Sequence, residues 1–152
     1  MVFTPPFLRI LNIIVACGGD VMLFHIFDSQ EERKSYGGSA FIEIQFCKLP
    51  YKTKINKLVA VNSINNWQKD SLYIYDDDIN VFYEEYSHIL NCGIYNNLKS
   101  GVVDICGINY YAPDVKNSIT EKLYKYKPTD YEMFIEWLNK SDEYNGFYVL
   151  GI

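Results

Sequence analysis

"SLYIYDDDINVFYEEYSHIL", residues 71–90, contains the change of period that decides the fold class. Ser71 to Tyr75 is a short apolar, aromatic-rich run bounded by polar residues, which predicts a strand. From Asp78 onward the apolar residues recur as Ile79, Phe82, Tyr83, Tyr86, Ile89 and Leu90, the spacing of one helix face. Asp78 reads as the N-cap and Gly93 as the C′ stop. Asp76, Asp77 and Asp78 sit at the helix start, where the macrodipole favours a negative charge by about 0.3–1 kcal/mol each. Glu84 and Glu85 fall on the polar side, where the dipole gives no reason for them.

Working outward, strands are expected at 22–27 ("MLFHIF"), at 40–46 ("AFIEIQF") and at 57–62 ("KLVAVN"). In the second, Phe41, Glu43 and Gln45 oppose Ile42, Ile44 and Phe46, the pattern of a half-buried antiparallel strand. "DSQEERKSYGGS" (28–39) reads as a charged loop ending in a Gly-Gly turn. "GVVDICGINYY" (101–111) predicts a buried strand running into a polar loop, and "FYVLGI" (147–152) a last strand after the Asn145-Gly146 turn. Pro113 opens a helix to 125 carrying Val115, Ile119 and Leu123 on one face. Thr129 and Glu132 form a capping-box pattern before a helix whose face is Tyr131, Phe134, Ile135 and Leu138, with Trp137 beside it. With no repeat or linker, the expectation is one α+β domain over 22–152. It has a mainly antiparallel sheet of five to six strands packed by about three helices.

Residues 1–21, "MVFTPPFLRILNIIVACGGDV", share none of the later charge density. Met22 as the true start, or an ordinary N-terminal appendage, is the first reading. A lipoprotein signal is the second, because "IVAC" (14–17) resembles its cleavage box, although Arg9 is the only positive charge and sits late. The apolar run is too short to span a bilayer, so no membrane association is expected unless that signal is real.

The chain has 152 residues and a net charge of −5. That charge argues against nucleic acid, whose phosphates need a basic footprint. Loss of residues 1–21 removes Arg9 and Asp20 and leaves the net charge unchanged. The lysine cluster "KLPYKTKINK" (48–57) has no arginine and one aromatic, and reads as a solvated loop. Cys17, Cys47, Cys92 and Cys106 show no C-x-x-C pair, and His25 and His88 lie far apart, so neither a zinc site nor a disulfide framework is expected. Scattered cysteines suit a reducing cytoplasm. No nucleophile elbow, glycine-rich phosphate loop or EF-hand pattern occurs, and no catalytic residue, metal or cofactor is expected.

What remains is a surface. Acid and tyrosine coincide at Asp76, Asp77, Tyr83, Glu84, Glu85, Asp104, Tyr110 and Tyr111. A solvated helix face is the plainer account of such a cluster. The functional account is a contact face for a basic protein, with tyrosines supplying area and carboxylates supplying steering.

At "FYEEYSHIL" (82–90), "GINYY" (107–111) and "WLNKSDEYNGFYVLGI" (137–152) the chain resembles the small immunity proteins of bacterial polymorphic-toxin systems, which include contact-dependent growth inhibition. The likeness lies in the C-terminal half of the chain, from Phe82 onward. It implies a cytoplasmic α+β protein that binds and neutralises one cognate toxin domain, often a basic nuclease. It transfers no residue position by position. A small enzyme of unrecognised type and a housekeeping interaction module are the competing expectations.

Overall fold

The structure, a computed structural model, describes residues 22–38 and 40–152. The readings made for residues 1–21 therefore lie outside the described residues. Six strands form one antiparallel sheet: β1 Phe41–Phe46, β2 Leu72–Tyr75, β3 Gly93–Ile94, β4 Ser100–Gly101, β5 Ile108–Tyr111 and β6 Phe147–Leu150. Their order is β2-β1-β6-β5-β3-β4. The helices are α1 Gln30–Gly37, α2 Ile55–Leu58, α3 Ile79–Tyr86, α4 Lys116–Tyr126 and α5 Tyr131–Lys140. The α+β class and antiparallel sheet are as expected, with two short helices beyond the expected three. No described helix is long and apolar enough to cross a membrane.

Period-2 alternation gives the sheet two faces. Ile42, Ile44 and Phe46 pair in register with Ile74, Leu72, Val149 and Phe147. This face takes Phe82 and Tyr86 of α3, Ile119 and Leu123 of α4, and Phe134, Trp137 and Leu138 of α5. Trp137 stacks on Phe46 with ring centroids 4.0 Å apart and planes 9° from parallel. Full burial of one large apolar side chain stabilises a fold by about 1.5–3 kcal/mol, so this face dominates the core.

The other face of β1 is also covered, which corrects the half-buried reading. All six residues of β1 are buried, Glu43 and Gln45 included. α1, α2 and the chain from 59 to 68 lie where solvent was expected. α1 replaces the expected charged loop. Ser29 caps it by accepting from Glu32 N. The Glu32 carboxylate reaches back and accepts from Asp28 N at 2.7 Å. The segment 57–62 is no strand: α2 ends at Leu58 and a 3₁₀ turn follows at Val61–Ser63. Residues 22–27 contribute one bridge, His25 to Tyr73, instead of a strand.

Three further boundaries move. α3 ends at Tyr86, and Gly93 lies in β3 instead of stopping the helix. In 101–111 the strand is the second half, Ile108–Tyr111, and Asp104 sits in the turn before it. Asp130, at φ 59°, precedes α5 in place of a Thr129 cap. Its carboxylate accepts from Leu23 N at 2.6 Å, while Thr129 is engaged by Glu85. Gly146 turns the chain into β6 at φ 81°, and a Cβ there would collide with Tyr111 O. Only glycine meets both demands.

Candidate functional site

α3 is fastened at its C-terminal half. Tyr86 is buried and donates its hydroxyl proton to Thr129 O at 2.6 Å. Burial drives the Tyr86 phenol well above its ordinary value, so it stays a donor. Glu85 accepts from Thr129 N at 2.8 Å and from Thr129 Oγ1 at 3.0 Å. With Ile79, Phe82 and Tyr86 directed into the core, Tyr83 and Glu84 are left facing solvent.

A second element meets them. Asn109 is fully buried and clamps the turn before β5: its Oδ1 accepts from Asp104 N at 2.7 Å, and its Nδ2 donates to Asp104 O at 2.8 Å and Val149 O at 2.9 Å. Val103 N donates to Leu90 O at 3.0 Å, which ties the turn to the chain leaving α3. The exposed Asp104 carboxylate accepts from Cys106 N at 2.9 Å. This Asx turn fixes its direction. Between turn and helix lies an open groove of about 670 Å³, lined by Asn80, Tyr83, Glu84 and Ser87 on one side and Asp104 on the other.

The structure therefore brings Tyr83, Glu84 and Asp104 to one groove and separates the other five predicted residues from it. Asp76 and Asp77 are exposed on the turn leading into α3 but do not line the groove. Glu85 is half-buried and bound to Thr129, so its role is to hold two segments together. Tyr110 and Tyr111 are 2% and 0% exposed, which removes them from any contact face. Their hydroxyls donate to Asn145 O at 2.7 Å and Leu90 O at 3.1 Å. A buried tyrosine usually satisfies its polar tip in this way. Among the described residues the ion pairs are Lys48–Asp70 and Lys116–Asp142, so Asp76, Asp77, Glu84 and Asp104 carry no neutralising side chain within 4.0 Å.

A second cavity, of about 290 Å³, lies on the covered face of the sheet, where the sequence reading placed nothing functional. Arg33, Phe41, Glu43, Trp67 and Tyr73 line it. Glu43 is buried and accepts from Trp67 N at 2.7 Å, Gln68 N at 2.9 Å, Ser71 Oγ at 2.7 Å and Gln45 Nε2 at 3.0 Å. Tyr73 OH stands 3.2 Å from the same carboxylate and 2.8 Å from Gln68 O. Burial, with Glu43 beside it, holds the Tyr73 phenol far above its ordinary value. One signal for this site was present in the sequence: Ser29 and Glu32 form the S-x-x-E pattern of a helix start, and that helix carries Arg33.

No family model matches the chain, and no curated protein or solved structure does either.

Proposed function

We propose that the chain is a non-catalytic immunity protein, acting in the cytoplasm, that binds a cognate basic toxin domain of nuclease type and neutralises it. The observation that carries this reading is the groove between α3 and the 103–105 turn. Tyr83 is 43% exposed there, two carboxylates without an ion pair among the described residues flank it, and Asp76 and Asp77 extend the acid along the entry to α3. A nuclease must present cations to phosphates, and an anionic rim around an aromatic anchor complements such a surface. The resemblance at 82–90, 107–111 and 137–152 points the same way.

The test is growth of cells that express the full chain together with the toxin domain encoded immediately upstream of it. Rescue is expected, and it should be lost in the double variant Glu84→Lys, Asp104→Lys with circular dichroism and melting unchanged. Glu85 is avoided because its carboxylate holds Thr129. Absence of rescue, or rescue indifferent to the reversal of both charges, overturns the proposal. In vitro, association should slow steeply with added salt, since exposed charges more than a Debye length apart, about 8 Å at physiological ionic strength, are screened.

A further inference from the structure

The cavity on the covered sheet face holds a cation with no hydrogen-bond or ion-pair partner among the described residues. Arg33 is 8% exposed, and its Nε–H finds no acceptor. Neither ion pair among the described residues includes it. Its guanidinium carbon lies 5.2 Å from the ring centroid of Phe41, 5.9 Å from Trp67 and 5.8 Å from Tyr73. Three aromatic faces attract the cation but offer its N–H fork no in-plane acceptor. A buried charge without hydrogen bonds is costly, and native proteins seldom leave one so.

The neighbouring carboxylate does not answer this need. Glu43 lies on the same cavity but is occupied by amide and hydroxyl donors from 45, 67, 68 and 71, and it is not within 4.0 Å of Arg33. The wall opposite is also held at a cost. Trp67 has a φ of 73°. Bulky residues avoid that region, and instances of it cluster at ligand sites. In that conformation the Trp67 N–H reaches Glu43 and its indole stacks on Tyr73, with centroids 5.3 Å apart.

We propose that this cavity is a binding site for a small organic monocarboxylate, whose oxygens take the unused Arg33 N–H donors while its body lies against the Phe41, Trp67 and Tyr73 rings. Two features set that class. Guanidinium and carboxylate match in a planar fork–fork pair, which is stronger than a neutral hydrogen bond. The Glu43 charge on the same cavity disfavours a dianion such as phosphate by like-charge repulsion. This site is separate from the acidic groove and does not depend on the immunity reading.

The chain has two arginines, Arg9 and Arg33, so ¹H–¹⁵N spectra of the full chain contain two Nε–H signals, and Arg33→Gln assigns them. Sodium benzoate is titrated at constant ionic strength, with benzamide as the neutral isostere and inorganic phosphate as the dianion. The expected result is a saturable shift of the Arg33 signal with benzoate, binding weaker by roughly tenfold or more with benzamide, and no saturable shift with phosphate. Gln30→Trp, at an exposed position on the cavity rim, should weaken the benzoate response without unfolding the chain. An Arg33 signal that does not move saturably, or equal responses to benzoate and benzamide, would mean that Arg33 only plugs the fold. Tighter binding of phosphate than benzoate would refute the ligand class.

Discussion

Glu43→Gln is the sharpest probe of how the covered face is built, because it keeps the side-chain shape while removing the charge and turning one acceptor into a donor. The glutamine must place its NH₂ at one of the two carboxylate oxygens. At the Oε2 position it would face two fixed donors, Gln68 N and Gln45 Nε2, beside the Ser71 and Tyr73 hydroxyls, which can turn to accept. At the Oε1 position it faces Trp67 N alone, 2.7 Å away. The second orientation costs less, and it still leaves a backbone N–H against another donor. A buried unpaired donor costs about 1–3 kcal/mol, and bonds that lose a charged acceptor drop to about half their strength. Relief of the carboxylate's own desolvation offsets part of this, but only replacement of a buried charge together with its partners approaches neutrality, and here the partners remain. The net expectation is a loss of about 2–4 kcal/mol, or a fall in the urea midpoint on the order of 1–2 M at an m-value of about 2 kcal/mol/M. Equilibrium urea unfolding measures the loss, and amide exchange should quicken first at Trp67 and Gln68. A Glu43→Gln protein within about 1 kcal/mol of the parent, at an unchanged m-value, would refute the accounting of donors.

Glu85→Ala removes the acceptor for Thr129 N and Oγ1. It should cost about 1.5–3 kcal/mol in thermal or urea melts, and a neutral outcome would return Glu85 to the contact face. In Tyr111→Phe the Leu90 carbonyl keeps its bond from Val103 N. That variant should lose only about 1 kcal/mol in the same melts and should leave toxin rescue intact. Burial pushes the His25 imidazole below its ordinary value of 6.5, against the opposing pull of Asp78 and Asp130. The unfolded chain then binds the proton more readily, so this contribution to stability is full above about pH 6.5 and is lost as pH falls through that value. Asp78, pushed upward by burial, acts in the opposite sense and interacts with His25 by charge, so the His25 part is read from the difference between parent and variant. Melts between about pH 7.5 and 5.5 should fall with pH in the parent and much less in His25→Asn; parallel slopes would show that His25 is not responsible.

The strand-to-helix switch at 71–90 was legible because both periods are strong there and the core obeys them: Leu72 and Ile74, then Ile79, Phe82 and Tyr86, are all buried. What failed to show was everything laid over the second face of the sheet. α1 is almost wholly polar, so it has no apolar stripe to read. It is held by its Ser29 and Glu32 cap and by Arg33, whose burial comes from Phe41, Trp67 and Tyr73. "KLVAVN" has the composition of a strand, yet the chain must cross the sheet there and deliver the Trp67 and Gln68 amides to Glu43. That tertiary demand overrides local propensity. Alternation at 41–46 gave the right strand and the wrong exposure, since a polar residue can be buried wherever donors converge on it, and period 2 carries no record of those donors. Tyr110 and Tyr111 misled for the same reason: a phenol that looks fit for an interface is equally content with a backbone carbonyl. The acidic groove was half visible: helix phase exposes Glu84, whereas Tyr83, which the spacing set on the apolar face, turns out to solvent, and Asp104 reaches the groove from a turn that no periodicity places. Of the cavity at Arg33 only the Ser29 and Glu32 helix start could be read, because its walls are brought together by long-range contacts that spacing along the chain does not encode.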